Sequence, residues 1–173
     1  MRIKGLSQIT LFVLAVFVSV TSSYARVPSV SMVIKGMSCP FCAFGLEKKL
    51  KKVEGVKSIK ITLKTGKTVL SAKDGESINV SQIPKAVKDA GFTIDSIEIT
   101  AVGTIIVDDQ KKISLQVNGT GDTYRLTEVK RSVKKKLRGF AKSKTTVEVI
   151  GSIQKPGDRI TSFTVVRVSE ASA

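Results

Sequence analysis

The order of apolar patterns in the first half of the chain limits the folds open to it. Alternating apolar residues predict a strand at residues 30–35, and apolar residues at helical spacing predict a helix at about residues 41–52. Two more alternating segments, joined by a Thr-Gly turn, predict a hairpin at residues 56–72. A second helical stripe and a strand at residues 92–100 follow. This β-α-β-β-α-β order predicts a ferredoxin-like domain at residues 29–100, with two helices on one face of a four-stranded antiparallel sheet.

The second predicted helix carries its own start and stop signals. Pro84 is tolerable only near the first turn, and Gly91 is placed as the C-terminal cap. Its apolar stripe consists of Val80, Ile83, Val87 and Ala90. In the preceding hairpin, the alternation predicts three inward-facing residues, Ile59, Ile61 and Leu63.

The chain has two cysteines, and both lie between the first strand and the first helix, in the segment GMSCPFC at residues 36–42. Such a pair is either a soft-metal site or a redox dithiol. Two thiolates separated by two residues can converge on one ion, and soft cations such as Cu(I) and Hg(II) favour sulfur ligands. The positive end of the helix dipole favours the thiolate form of Cys42. Cys39 and Cys42 are therefore the candidate metal ligands.

The rest of the composition excludes several kinds of site. The chain has no histidine, which excludes histidine-based zinc sites, Cys-His nucleophilic pairs and Ser-His-Asp triads. Zinc is less expected than a soft ion, because a closed zinc site needs four ligands and this chain supplies two sulfurs. A structural disulfide would close a loop over two residues, so its entropic gain falls short of the roughly 3 kcal/mol expected for a 15-residue loop. A non-enzymatic protein with a functional dithiol is the prediction.

The first 25 residues have the pattern of an export signal. Arg2 and Lys4 form a positive start, residues 9–20 an apolar core, and residues 23–25 a small-x-small cleavage site. The apolar core is shorter than the roughly 20 residues that a membrane helix needs. We therefore expect a periplasmic protein, or an extracellular one if the host lacks an outer membrane. In such an oxidising compartment the two cysteines could be joined as a disulfide.

Residues 101–170 predict a second, basic and β-rich domain. A helix is expected at residues 127–138, ended by Gly139. Strands are expected at residues 102–107 and 113–117, around Tyr124, and at residues 145–153 and 160–168. Three strands, a helix and two strands is the order of an OB-like five-stranded barrel. The whole chain is thus predicted to be of the α+β class.

The charge is strongly positive, with 29 Lys and Arg against 14 Asp and Glu, or +15. The densest basic run lies in the predicted second-domain helix and comprises Lys130, Arg131, Lys134, Lys135, Lys136 and Arg138. Such a run is either a solvated helix face or a surface that docks onto anionic lipid headgroups or an acidic transporter loop. Nucleic acid is not an expected partner, because Tyr124, Phe140 and Phe163 offer few stacking platforms.

The cysteine segment resembles a known family. GMSCPFC matches the GMxCxxC signature of heavy-metal-associated domains, and VEGV at residues 53–56 and AGF at residues 90–92 match their later landmarks. The resemblance covers about residues 29–100. It implies that Cys39 and Cys42 bind one metal ion and that Met37 packs beneath the loop. It also implies a role for an aromatic such as Phe92 beside the loop, either as a shield or as ordinary core packing.

Two protein ligands leave the ion open to an incoming third sulfur, which suits delivery to a partner. The expected function is therefore capture of Hg(II) or Cu(I) and transfer by thiolate exchange to a membrane metal transporter or another metal-accepting protein. The alternative is a thiol-disulfide oxidoreductase, because Pro40 and Phe41 give a Cys-Pro-Phe-Cys dithiol like that of glutaredoxin- and thioredoxin-like proteins. Those proteins have a proline before a strand opposite the dithiol, whereas Pro84 is predicted in a helix. Metal binding is favoured.

Overall fold

The computed structural model describes residues 26–118, 120–127 and 129–171, which form eight strands and three α-helices. The predicted export signal at residues 1–25 lies outside these residues. Among the helices that the structure describes, none has both the length and the apolar composition needed to cross a membrane.

The first half of the chain has the predicted β-α-β-β-α-β order. Its sheet is antiparallel, in the order β2-β3-β1-β4, and two helices follow β1 and β3. The elements are β1 Ser29–Lys35, α1 Pro40–Leu50, β2 Val56–Thr62, β3 Lys67–Ala72, a 3-10 turn Val80–Gln82, α2 Ile83–Asp89 and β4 Thr93–Val107. The ferredoxin-like α+β arrangement is therefore confirmed for this part.

Strand β4 is longer than predicted, because the strands expected at residues 92–100 and 102–107 are one continuous element. Its residues alternate between buried and more exposed positions without a break from Ile97 to Ile105. Gly103 continues the strand where a β-carbon would meet the carbonyl of Gln116. The predicted boundary between residues 100 and 101 consequently falls inside β4.

The second half of β4 starts a closed barrel of five strands. The remaining elements are β5 Ile113–Val117, β6 Thr123–Thr127, α3 Arg131–Ser143, β7 Thr146–Gln154 and β8 Ser162–Glu170. The strands follow one another around the barrel as β4-β5-β6-β8-β7, and β7 closes it by pairing with β4. All of these pairs are antiparallel except β6 with β8.

One continuous hydrophobic core joins the two halves, extending from α1 and α2 across β4 into the barrel. Each large aliphatic side chain buried there contributes about 1.5–3 kcal/mol relative to exposure. The largest fully buried side chains are Phe163, Met32, Leu46, Leu50, Leu70, Ile78, Ile83, Ile97, Ile99, Ile105, Leu115 and Leu137. Strand β4 contributes to the core on both sides of residue 100, so it holds the half with the cysteine loop and the barrel together.

Two details of the sequence prediction are wrong. Leu63 is 38% exposed rather than inward-facing, because β2 ends at Thr62 and Leu63 belongs to the turn. Helix α3 begins at Arg131 and does not stop at Gly139, but continues to Ser143. Phe140 packs into the core one residue beyond the glycine, and the helix ends where Lys144 adopts a left-handed conformation with φ 52°. The packing of Phe140 outweighs the cost of a mid-helix glycine, which is about 1 kcal/mol.

Candidate metal centre

The cysteine loop is held at the end of β1. Gly36 follows β1 with φ 77°, a left-handed conformation that favours glycine. Met37 then turns into the core and is only 6% exposed. An ion pair of 2.9 Å between Lys35 and Asp95 joins the end of β1 to the start of β4. The loop therefore leaves the sheet from a fixed position, and Met37 occupies the core position that the family resemblance implied.

Cys39 is the N-cap residue of α1, with an extended backbone at φ −127° and ψ 146°. Pro40 follows at the first helical position, where its fixed φ suits the helix and its missing N–H is not needed. The backbone N–H of Cys42 donates a hydrogen bond of 3.0 Å to Cys39 Sγ. The Cys39 carbonyl accepts from the N–H of Ala43 at 3.2 Å. The sulfur of Cys39 thus takes the place of the side-chain oxygen that usually caps a helix.

The structure brings both predicted ligand residues together. Cys39 and Cys42 form a disulfide, with their Cα atoms 5.2 Å apart, and both are half-buried. Within the described part of the chain, no group of three or more Cys, His, Asp or Glu residues is placed to hold a metal ion. Two sulfurs at the exposed end of a helix are therefore the donor set that this chain offers to a soft ion.

Two exposed aromatic side chains lie at the start of α1. Phe41, between the cysteines, is 88% exposed, and Phe44, one turn along α1, is 69% exposed. On the opposite face of the same helix, Leu46 and Leu50 are fully buried. Phe92 is half-buried and packs against the hydrophobic core. Phe41 and Phe44 thus present an apolar surface next to the two sulfurs.

The surface around α1 and α2 is dominated by cations. Lys85 donates a 2.6 Å hydrogen bond to Asp89, and this bond, together with the nearby Lys49 and Lys88, holds the pKa of the Asp89 carboxyl below its usual range. Helix α1 has no acidic residue in its first turn. An acidic residue there would oppose a sulfur anion, whereas the positive end of the helix dipole favours one.

The sequence predicted the cysteine pair but not the role of each member. The sequence predicts helix-dipole stabilisation of Cys42, whereas in the structure the direct hydrogen bond from the helix N-terminus goes to Cys39. A signal for this arrangement was available, because a polar side chain directly before Pro marks an N-cap with proline at the first helical position. Cysteine is an uncommon cap, so the sequence pattern alone indicates a ligand motif and not a cap.

Comparison with known proteins identifies the same region. Residues 32–93 match the model of the heavy-metal-associated domain. A mercuric transport protein periplasmic component from Serratia marcescens is 32% identical over 79 residues, which are 46% of this chain and 86% of that protein. Its counterpart from an Alcaligenes species is 33% identical over 79 residues, with the same coverage. The copper-transporting ATPase HMA5 of Oryza sativa subsp. japonica is 36% identical over 100 residues, 58% of this chain and 9% of that protein.

Among solved structures, the chain is similar to oxidised MerP from Ralstonia metallidurans CH34, with 31% identity and a TM-score of 0.34 over 38% of this chain and 93% of that one. The sequence relatives carry the assignment. The Serratia protein exceeds 30% identity over most of its own length, and the matched family segment contains the whole cysteine loop. The chain therefore belongs to the heavy-metal-associated domain family.

Proposed function

We propose that this protein captures one soft metal ion, Hg(II) or Cu(I), between Cys39 and Cys42 and passes it to a partner by thiolate exchange. The observation that carries the proposal is the placement of both sulfurs at the N-terminus of α1, where Cys39 Sγ accepts the Cys42 N–H. The names of the relatives support a transport role for either mercury or copper. Zinc is less expected, because the described residues offer no cluster that would complete its coordination.

Metal capture requires the reduced pair. Reduction of the Cys39–Cys42 disulfide consumes two electrons and two protons, which a dithiol reductant supplies as it is itself oxidised to a disulfide. The two thiols then lose their protons as the metal binds, because thiolates are the ligand form. A hydrogen bond from the Cys42 N–H stabilises negative charge on the Cys39 sulfur. With two protein ligands, the ion accepts a third sulfur from an incoming partner, and ligand replacement one sulfur at a time moves the ion without releasing it.

The chain is a metal-binding protein and not an enzyme, as its family membership indicates. The oxidoreductase alternative gains no support from the relatives described above. Pro84, which would have to precede a strand opposite the dithiol, lies in the first turn of α2. Turnover of a disulfide substrate in the absence of metal would nevertheless favour that alternative.

We infer that the protein is exported and works in the periplasm. Support comes from the export-signal pattern of residues 1–25 and from the relatives named as periplasmic components. In the periplasm, the protein would bind a metal ion before that ion reaches a transporter in the membrane. A membrane metal transporter, or another metal-accepting protein, is therefore the proposed recipient.

We further infer that the chain has two domains. Residues 29–100 carry the cysteine pair, and residues 101–170 form an OB-like barrel. The support for the barrel type is its strand order, with a parallel pairing of β6 and β8 and a helix between its third and fourth strands. The barrel type alone does not identify a ligand.

A transfer experiment tests the proposed function. The reduced protein is loaded with one equivalent of Hg(II) or Cu(I) and mixed with a metal-free, isotope-labelled copy, and native mass spectrometry follows the metal between the two masses. Direct thiolate exchange predicts a transfer rate that rises in proportion to the concentration of the acceptor copy. A rate that does not depend on acceptor concentration would show that the ion dissociates first, and would contradict transfer by exchange.

A further inference from the structure

Helix α3 presents five cations on one face. Apart from the adjacent Lys134 and Lys135, they are spaced three or four residues apart, so they lie on one side of successive turns. They are Arg131, Lys134, Lys135, Arg138 and Lys142, and together they line one shallow surface depression. The opposite side of the helix is buried through Leu137 and Phe140. We refer to these five cations as the basic face of α3.

The charges of the basic face are not neutralised by the described part of the chain. Each of the six ion pairs found in that part involves other residues. Like charges four residues apart destabilise a helix. Arg131 also lies at the positive end of the helix dipole, and the first turn has no acidic residue. Such unfavourable placement of like charges and of a cation at a helix N-terminus is expected where a surface serves a binding function.

Lys136 belongs to a different surface. Its Nζ donates a 3.4 Å hydrogen bond to the Val168 carbonyl and lies 5.6 Å from the centre of the Phe140 ring. This lysine is held against the barrel and contributes to packing. The basic run that the sequence groups together is therefore divided by the fold, with Lys136 turned away from the basic face.

An apolar groove adjoins the basic face. It has a volume of about 720 Å³ and lies between the second half of α3 and the end of β4. Ile106 and Val107, each 40% exposed, are the large exposed apolar side chains in its lining. Arg138 and Lys142 of the basic face line this groove as well, and Lys111 and Lys144 add two further cations. Exposed aliphatic side chains are thus bordered by positive charge.

We propose that the basic face of α3 and the adjoining Ile106–Val107 groove dock the protein onto an anionic lipid surface. The five cations extend over 12 residues of helix, or roughly 17 Å, which suits a plane of phosphates better than a single anion. Anionic headgroups lie directly above an apolar layer, so the same surface accepts both the cations and the aliphatic side chains. Single-stranded nucleic acid would need aromatic platforms, whereas Phe140, Tyr124 and Phe163 are buried.

The docking surface and the cysteine loop lie at opposite ends of β4. Thr93, at one end of β4, pairs with Lys35 beside the loop, whereas Val107 at the other end lines the groove. A strand rises about 3.3 Å per residue, so these ends are separated by up to roughly 46 Å. The protein can therefore hold a membrane at one end while the two sulfurs remain accessible at the other. Docking and metal binding should be independent of one another.

A vesicle-binding experiment with the purified protein tests this proposal. The vesicles contain two parts phosphatidylcholine and one part phosphatidylglycerol, and vesicles of phosphatidylcholine alone serve as the reference. Binding should require phosphatidylglycerol and should weaken as salt is added, because exposed charges are screened. The variant Lys134→Gln, Lys135→Gln, Lys142→Gln should bind about 100-fold more weakly, since each basic residue near an anionic surface contributes about one kcal/mol.

A matched variant controls for net charge. Lys52→Gln, Lys60→Gln, Lys64→Gln removes the same three charges from exposed positions in the other half of the chain, where no ion pair involves these residues. It should bind the mixed vesicles nearly as well as the unchanged protein. An equal loss in both variants would show a general charge effect and would overturn the proposal.

Further outcomes separate the lipid surface from other partners. Ile106→Thr, Val107→Thr keeps every charge and should still weaken vesicle binding, because the apolar contact is lost. Urea unfolding should show that the α3 triple variant is at least as stable as the unchanged protein. Binding to polyglutamate or to an oligonucleotide without binding to the mixed vesicles would overturn the proposal. Replacing both cysteines with Ser should leave vesicle binding unchanged, so this proposal and the metal proposal can fail separately.

Discussion

The backbone N–H of Cys42 donates a 3.0 Å hydrogen bond to Cys39 Sγ, so that Cys39 both caps helix α1 and faces its positive end. The two cysteines therefore have different roles in the fold, although both are proposed ligands. Cys39 satisfies a helix donor through its side chain, whereas Cys42 supplies that donor through its backbone. Substitutions at the two positions should separate folding from metal binding.

In the reduced protein, Cys39→Ala should lower the free energy of unfolding by about 1 kcal/mol, the usual cost of losing an N-cap side chain. Cys39→Ser should restore most of this loss, because serine is a favoured cap. Cys42→Ala should cost less than Cys39→Ala, since the Cys42 N–H is retained. Urea unfolding in a thiol reductant measures all three, and equal stability of Cys39→Ala and Cys39→Ser would contradict the capping role.

The faces of α1 give a second prediction. Leu46→Ala should destabilise the protein by about 2–5 kcal/mol, because it creates a cavity in the core. Phe44→Ala, two positions away on the exposed face, should change stability by less than about 0.5 kcal/mol. Chemical unfolding of both variants checks the pair. A large loss for Phe44→Ala would place that ring in the core instead of on the surface beside the metal loop.

The periodicity of the first half explains why its fold was predictable. Buried positions such as Val80, Ile83 and Val87 repeat at helical spacing, and Gly91 ends α2 with φ 83°. The sequence prediction of β4 was too short. The family resemblance ends near residue 100, and the sequence analysis predicts two separate strands on either side of that point. The alternation through Ala101 and Ile105 was in fact continuous.

Closure of the barrel could not be derived from local pattern. The pairing of β4 with β7 joins residues about 50 positions apart in the chain, such as Ile99 with Gly151. On its other side β7 pairs with β8, and that register shifts between Ile150 and Gly151, where β8 has one extra residue. A bulge is a tertiary feature that bends a strand, and sequence spacing alone does not place it.

Gly151 leads to a third prediction, because a β-carbon at this position would overlap the ring of Phe163. Gly151→Ala should destabilise the protein by about 1–3 kcal/mol through overpacking. The same substitution should cost less in a Phe163→Leu background, since the smaller side chain leaves room. Unfolding of the single and double variants forms a double-mutant cycle. Strict additivity of the two substitutions would contradict the steric explanation.

Tyr124 gives a prediction for alkaline pH. Burial raises its pKa to about 12, with a further contribution from Asp122, and its ring lies 5.5 Å from that of Phe163. Because the folded-state pKa exceeds the unfolded value of about 10, the stability is fully present below pH 10 and is lost as the pH rises toward 12. The loss attributable to this group should approach roughly 2–3 kcal/mol.

Comparison with Tyr124→Phe isolates the contribution of this group, since phenylalanine does not ionise. The difference in unfolding free energy between the two proteins should be constant below pH 10 and should then change in favour of the variant. Urea unfolding at a series of pH values measures that difference. Parallel curves up to pH 12 would show that the tyrosine ionises equally in the folded and unfolded chains.

The proximity of the two cysteines was predictable from the sequence, but the contacts around them were not. The GMSCPFC segment identified Cys39 and Cys42 because spacing and residue type suffice for a dithiol. That Cys39 Sγ accepts a helix N–H, and that Lys136 leaves the basic run to bond the Val168 carbonyl, depend on the folded geometry. Such assignments need positions in space, because neighbouring residues in a basic run look alike in sequence.

Native mass spectrometry of the reduced protein with Cu(I), Hg(II) and Zn(II) in competition tests the central claim most directly, with Cys39→Ser, Cys42→Ser as the control. The account predicts one tightly bound soft ion per chain, preferred over zinc and lost in the control, while the control remains folded. One-to-one binding of the same ion by the folded control variant would contradict the assignment of the site to Cys39 and Cys42.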